Sequence, residues 1–113
     1  MCTENQLKAI LDRVAATART ALGDRLHGAY LYGSYARGDY DAESDVDILV
    51  LADVPREKLA AYKKPFLKAT SDLGLEYDVV VTVTLKDTDT FEKYLDAVPF
   101  YQNIRKEGIP LAV

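Results

Sequence analysis

Two short apolar segments, Ala29-Tyr30-Leu31-Tyr32 and Ile48-Leu49-Val50-Leu51, lie so close in the chain that the route between them is nearly dictated. The link, residues 33–44, is about twelve residues long, the lower limit for a parallel crossover. As strands the two segments therefore pair antiparallel, with the end of the first and the start of the second at one sheet edge. The second strand, residues 45–52, opens with Asp45-Val46-Asp47. An i, i+2 spacing on a strand aims both carboxylates to one face, with Cα atoms roughly 7 Å apart. An acid at the mouth of a buried strand needs a partner, and one or two divalent cations would supply it. At the same edge, Gly33-Ser34 closes the first strand and opens a short helix reaching about Asp39. The free amides of such a turn can cradle a phosphate. A phosphate cradle beside a metal platform points to phosphoryl or nucleotidyl transfer.

The charge distribution sharpens this expectation. Asp39, Asp41, Glu43, Asp45 and Asp47 fall within nine residues that hold no Lys or Arg. A solvated acidic loop accounts for the first three, but not for Asp47 at the head of an apolar run. The formal charge of −4 lacks the basic footprint of nucleic-acid binding. The local run Lys58, Lys63, Lys64 and Lys68 reads as the wet face of a helix. No apolar run approaches the roughly 20 residues of a membrane span. The first ten residues show no export signal, and the single cysteine, Cys2, cannot form an internal disulfide. A cytoplasmic protein is expected, with one domain over residues 1–113.

The remaining elements follow from periodicity. Leu7, Ile10, Leu11, Val14, Ala18, Ala21 and Leu22 form a helical stripe over residues 4–22, with Thr3 and Gln6 as a capping box and Gly23 as the stop. From Pro55, a second stripe (Leu59, Tyr62, Phe66, Leu67, Thr70, Leu73) runs to Gly74, with Pro65 imposing a kink or two consecutive helices. Residues 76–84, rich in valine and threonine, predict a third strand. The helical segment before it suits a parallel, right-handed crossover. Strand three would then start at the edge already described and bring Asp78 beside Asp45 and Asp47. Thr88 or Asp89 can cap a helix bearing Phe91, Tyr94, Leu95 and Val98, and Pro99 opens another that ends at Gly108. The fold class is α/β (α+β), a small mixed β-sheet of three to four strands with helices packed on it. His27, the only histidine, has no evident role. Tyr35 and Tyr40 flank the glycine turn, either as core residues or near a base or ribose.

Gly33-Ser34, ten intervening residues and Asp45-Val46-Asp47, with Arg37-Gly38 between them, resemble the signature of the DNA polymerase β-like nucleotidyltransferase superfamily. With no second domain expected, the chain resembles the minimal nucleotidyltransferases, which commonly act as antitoxins beside HEPN-domain ribonuclease toxins. The resemblance implies that Gly33 and Ser34 hold the terminal phosphates of ATP. It also implies that Asp45 and Asp47 ligate two Mg²⁺ ions, and that Asp78 is the third carboxylate. Arg37, one turn beyond Ser34, either touches the triphosphate or pairs with Asp39 or Asp41. The implied reaction moves AMP from ATP to a tyrosine hydroxyl of a HEPN toxin. Two other functions fit the same residues: modification of a small molecule such as an aminoglycoside, or an antitoxin that masks its toxin without catalysis.

Overall fold

The computed structural model describes residues 3–113; Met1 and Cys2, and with them the expectation placed on Cys2, lie outside the described residues. Thr3 starts the first helix as a reciprocal cap. Its hydroxyl accepts the Gln6 N–H at 3.1 Å, and the Gln6 side chain accepts the Thr3 N–H at 3.0 Å. Helix α1 (Glu4–Leu22) then runs to Gly23, as its stripe predicts. Thr3→Ala removes one of these bonds and should cost about 1 kcal/mol, read as a fall of several degrees in thermal midpoint.

Strand β1 (Leu26–Tyr32) leads into the four-residue helix α2 (Ser34–Arg37), and strand β2 covers Val46–Ala52. These strands pair antiparallel, with Tyr32 opposite Asp47. A 3-10 segment (Arg56–Tyr62) passes directly into helix α3 (Lys63–Tyr77), so the proline at position 65 sits in the first turn of the second of two consecutive helices. Strand β3 (Val81–Asp87) follows and pairs parallel with β2. Helices α4 (Thr88–Lys93) and α5 (Pro99–Glu107) and the two-residue strand β4 (Ile109–Pro110) complete the chain. The sheet order is β3-β2-β1-β4, a mixed four-stranded sheet.

The central strand β2 is buried on both faces, which explains its unbroken apolar run. Val46, Ile48 and Val50 face one core, shared with Ile10, Val14 and Ala18 of α1 and Phe66 and Leu73 of α3. Leu49 and Leu51 face a smaller second core with Phe91, Ile104, Tyr30 and Tyr32. By alternation Asp47 belongs to that second face. Its position is fixed by the same register that buries its neighbours.

Several boundaries differ from the sequence-based expectation. Helix α3 does not end at Gly74, and residues 76–80 are not strand. Tyr77 follows Leu73 by four residues and packs against the larger core, which holds the last turn in helical form. Gly74 serves instead as a point of close approach, since a Cβ there would lie 3.2 Å from the Val79 carbonyl oxygen. The helix cap is Asp78 itself, in the left-handed region at φ 52°, ψ 50°. Strand β3 extends three residues further than residue 84. Asp87, at its end, caps α4 by accepting the Thr90 N–H at 2.9 Å, in place of Thr88 or Asp89. Leu67, expected in the stripe, is 66% exposed. Among the described residues, no helix is long and apolar enough to cross a membrane.

Candidate active site

Gly33 sets the geometry of the sheet edge. Its φ of 76° and ψ of −157° are conformations that side chains disfavour. A Cβ on Gly33 would stand 2.7 Å from Asp47 Oδ2, which shows how closely the turn and the carboxylate meet. Ser34 follows as the first residue of α2, where a backbone N–H has no intrahelical acceptor. The short helix is closed by Gly38 in the left-handed region, whose N–H donates to the Ser34 carbonyl at 2.9 Å. Tyr35 roots α2 in the core at 5% exposure and stacks on Tyr40, ring centroids 4.4 Å apart. Of the two roles open to these rings, the structure shows the packing one.

The acidic loop divides as its charges suggest. Asp39 accepts a bond from Arg37 Nε at 3.2 Å, and Arg37 Nη1 lies 4.0 Å from Glu107. Arg37 thus stands in the ion-paired arrangement rather than free over the turn. Asp41 accepts the Glu43 N–H at 2.9 Å, while its own N–H donates to the Ser44 hydroxyl at 2.9 Å. Asp45 is exposed just before β2, and Asp47 is partly buried as its second residue.

Asp47 is the electrostatically unsettled group. Burial, and secondarily repulsion from Asp45, pushes its carboxyl above the ordinary carboxylate range. No cationic side chain among the described residues counters that shift. Opposite it on β1, the Tyr32 phenol is also raised, mainly by burial and further by the Asp47 charge, against a hydrogen bond with Thr84. Tyr32 thus stands beside Asp47 across the β1–β2 pairing, with Phe100 edge-on at 5.3 Å. Tyr32 was expected only as a core residue. Its register opposite Asp47 is the signal that would have placed it here.

The fit to a divalent cation can be judged from these groups. Asp45 and Asp47 lie at one sheet edge, close enough for the Asp45 charge to raise the Asp47 pKa, with no cation among the described residues offsetting that shift. Asp47 also rests against a turn that only glycine can make this tight. That pair fits a hard cation with oxygen ligands. The expected third carboxylate stands on a different element from the one expected. Asp78 caps α3, three residues before β3 begins, and the β3 residue beside Asp47 is Thr82. Asp78 and Asp45 face a shared cavity of about 600 Å³, lined also by Thr70 and Val81, whose walls do not include Asp47. Among the described residues, no three His, Cys, Asp or Glu side chains gather closely enough to hold a metal ion. Asp78, expected on strand three, is instead the left-handed cap of α3, because α3 persists through Tyr77, and from there it shares a cavity with Asp45.

Comparison with known proteins adds an independent line. A family model described as a nucleotidyltransferase domain matches residues 16–111. Two curated proteins of Methanocaldococcus jannaschii, both bearing the name protein adenylyltransferase, are similar to this chain. One is 35% identical over 104 residues, spanning 92% of this chain and 95% of its own. The other is 39% identical over 83 residues, spanning 73% and 81%. A crystal structure of a toxin-antitoxin with AMP-PNP superposes at a TM-score of 0.53 and 22% identity, covering 88% of this chain and 70% of its own. At that identity the likeness concerns the fold.

Proposed function

Because the chain belongs to the nucleotidyltransferase domain family, we infer that its acid-paired sheet edge transfers AMP from ATP to a hydroxyl of a partner protein. The acceptor proposed is a tyrosine of a HEPN-family toxin, which makes this chain the antitoxin of the pair. The observation that carries the proposal is the Asp45–Asp47 pair, of which Asp47 is seated against the Gly33 turn with no cation among the described residues lowering its pKa. The name shared by the two archaeal relatives supports a protein acceptor. The toxin-antitoxin fold neighbour supports the biological setting.

In this mechanism the Gly33-Ser34 turn receives the β and γ phosphates on backbone N–H groups, where the absent side chain permits close approach. Asp45 and Asp47 hold Mg²⁺, two ions in the proposed site. Bound there, the metal supplies charge stabilisation for an in-line displacement at the α-phosphorus. The acceptor oxygen bonds to that phosphorus, its proton passes to water, and pyrophosphate leaves with the electrons of the broken P–O bond. Tyr32, partly buried opposite Asp47, borders the site on the β1 side. Positioning and charge do most of the work in such transfers.

The test is incubation of the purified chain with its HEPN-domain neighbour, α-labelled ATP and Mg²⁺. Label on the partner, with a mass gain of one AMP, is the expected result. Tight association with no mass gain would discard the catalytic proposal. Asp78 provides an internal contrast. Asp78→Asn keeps a residue that tolerates the left-handed cap, so the fold should persist. Transfer should fall only a few-fold, far less than for Asp47→Asn in the same assay. Equal losses would restore Asp78 to the metal site.

A further inference from the structure

We propose that the acceptor polypeptide docks as an added strand on the free edge of β3, along the groove between β3 and α3. This rests on the protein-adenylylating function above and names how its substrate is held. Among the described residues β3 pairs only with β2, so its other edge is open. Val80 offers its carbonyl to the Val46 N–H at 2.9 Å, toward β2. By alternation, the backbone groups of Val81, Val83 and Leu85 point outward. The charges of β3, Lys86 and Asp87, are confined to its last two residues, and Val81-Thr82-Val83-Thr84-Leu85 carries no charge and no proline, whereas an edge meant to stay unpaired is normally blunted along its length by such residues or by a bulge.

The groove beside this edge measures about 430 Å³ and is lined by all five of those residues together with Lys63, Phe66, Leu67 and Thr70 of α3. Five consecutive strand residues, of both parities, place it along the edge rather than over one face. Leu67, 66% exposed, projects there as an unclaimed apolar anchor. An added strand would gain main-chain hydrogen bonds from β3 and side-chain burial against Leu67, the recurring mode of strand addition.

Continuity with the catalytic edge favours a substrate over a second copy of this chain. Thr70 and Val81 line both this groove and the cavity that holds Asp45. Strands lie about 4.8 Å apart, so the added strand would run two spacings, roughly 10 Å, from β2 and Asp47. A tyrosine side chain can span much of that gap, while serine and threonine fall well short. At the other end of the groove Lys63 is exposed, with Lys58 and Lys64 nearby. The occupant is therefore an extended segment with apolar alternate residues, carboxylates toward Lys63 and its acceptor hydroxyl toward Asp45.

The experiment uses the acceptor protein of the transfer assay. In hydrogen exchange, the Val83 and Leu85 amides should be unprotected in the free chain and become protected in the complex. Leu67→Glu, at an exposed position, should fold normally and raise the KM for the acceptor about tenfold or more, equivalent to 1.4 kcal/mol of binding. Its KM for ATP should not change. Val83→Pro, which removes one outward donor, should weaken acceptor binding in the same direction. Protection confined to other elements, with Leu67→Glu fully active, would overturn the proposal. So would protection of Val83 and Leu85 in the free chain, accompanied by a dimer that Leu67→Glu dissociates. If the wild type protects this edge on binding but transfers no AMP, the adenylylation proposal fails while the docking site stands.

Discussion

Asp47→Asn should reduce AMP transfer by on the order of a thousandfold or more, the scale set by removing a principal charge-stabilising group, and should make the fold more stable. The two effects have one origin. In the folded chain burial and Asp45 both disfavour the charged form of Asp47, so its carboxyl holds its proton to higher pH than in the unfolded chain. A raised carboxyl of this kind contributes stability that is fully present below its unfolded pKa. That stability is lost as pH rises through the folded value. At neutral pH the metal-free wild type carries the whole penalty, and the asparagine variant carries none of the repulsion. Thermal unfolding without divalent metal should therefore show a higher midpoint for Asp47→Asn near pH 7. The difference should shrink as pH falls toward and below the folded pKa of Asp47, where the wild-type carboxyl takes up its proton. A variant that loses activity by unfolding would show the reverse. Retained transfer would remove Asp47 from the mechanism altogether.

Gly33→Ala should damage both stability and catalysis, for separable reasons. The Gly33 backbone, at φ 76° and ψ −157°, lies in a region essentially reserved for glycine and costs another residue about 1–3 kcal/mol, which alone lowers the thermal midpoint by several degrees. The new Cβ would also lie 2.7 Å from Asp47 Oδ2, so the carboxylate has to move. Displacement of a positioned group by about 1 Å can cost a hundredfold in rate, and transfer should fall by at least that order. A double-mutant cycle separates the causes. In an Asp47→Ala background the carboxylate is gone, so Gly33→Ala should cost less stability than in the wild type. Additivity within about 0.5 kcal/mol would mean that the turn and Asp47 do not touch in solution.

Much of this site was legible because its parts are local. Gly33 and Asp47 are separated by one short link, at the lower limit for a parallel crossover and so favouring antiparallel return, and the observed register puts Tyr32 opposite Asp47. The capping box at Thr3 and the stop at Gly23 are equally local, since each depends on residues within one turn. Asp78 was misplaced because valine-rich sequence after Tyr77 suits a strand wherever it begins. The actual start depends on how far α3 continues, and that is settled by Tyr77 packing on a core built from α1 and β2. Arg37 had two available partners, and the nearer acid, Asp39, holds it.

From sequence alone came the mixed sheet, the glycine turn and the two carboxylates on one edge, because loop length and strand alternation leave few other arrangements. Tertiary structure decided what joins them. It placed Asp78 in a helix cap, set Tyr32 and Thr82 on either side of Asp47 and, among the described residues, left the outer edge of β3 without a strand partner. Those outcomes hinge on where a helix stops and which side chains it can bury, a balance struck between segments far apart in the chain.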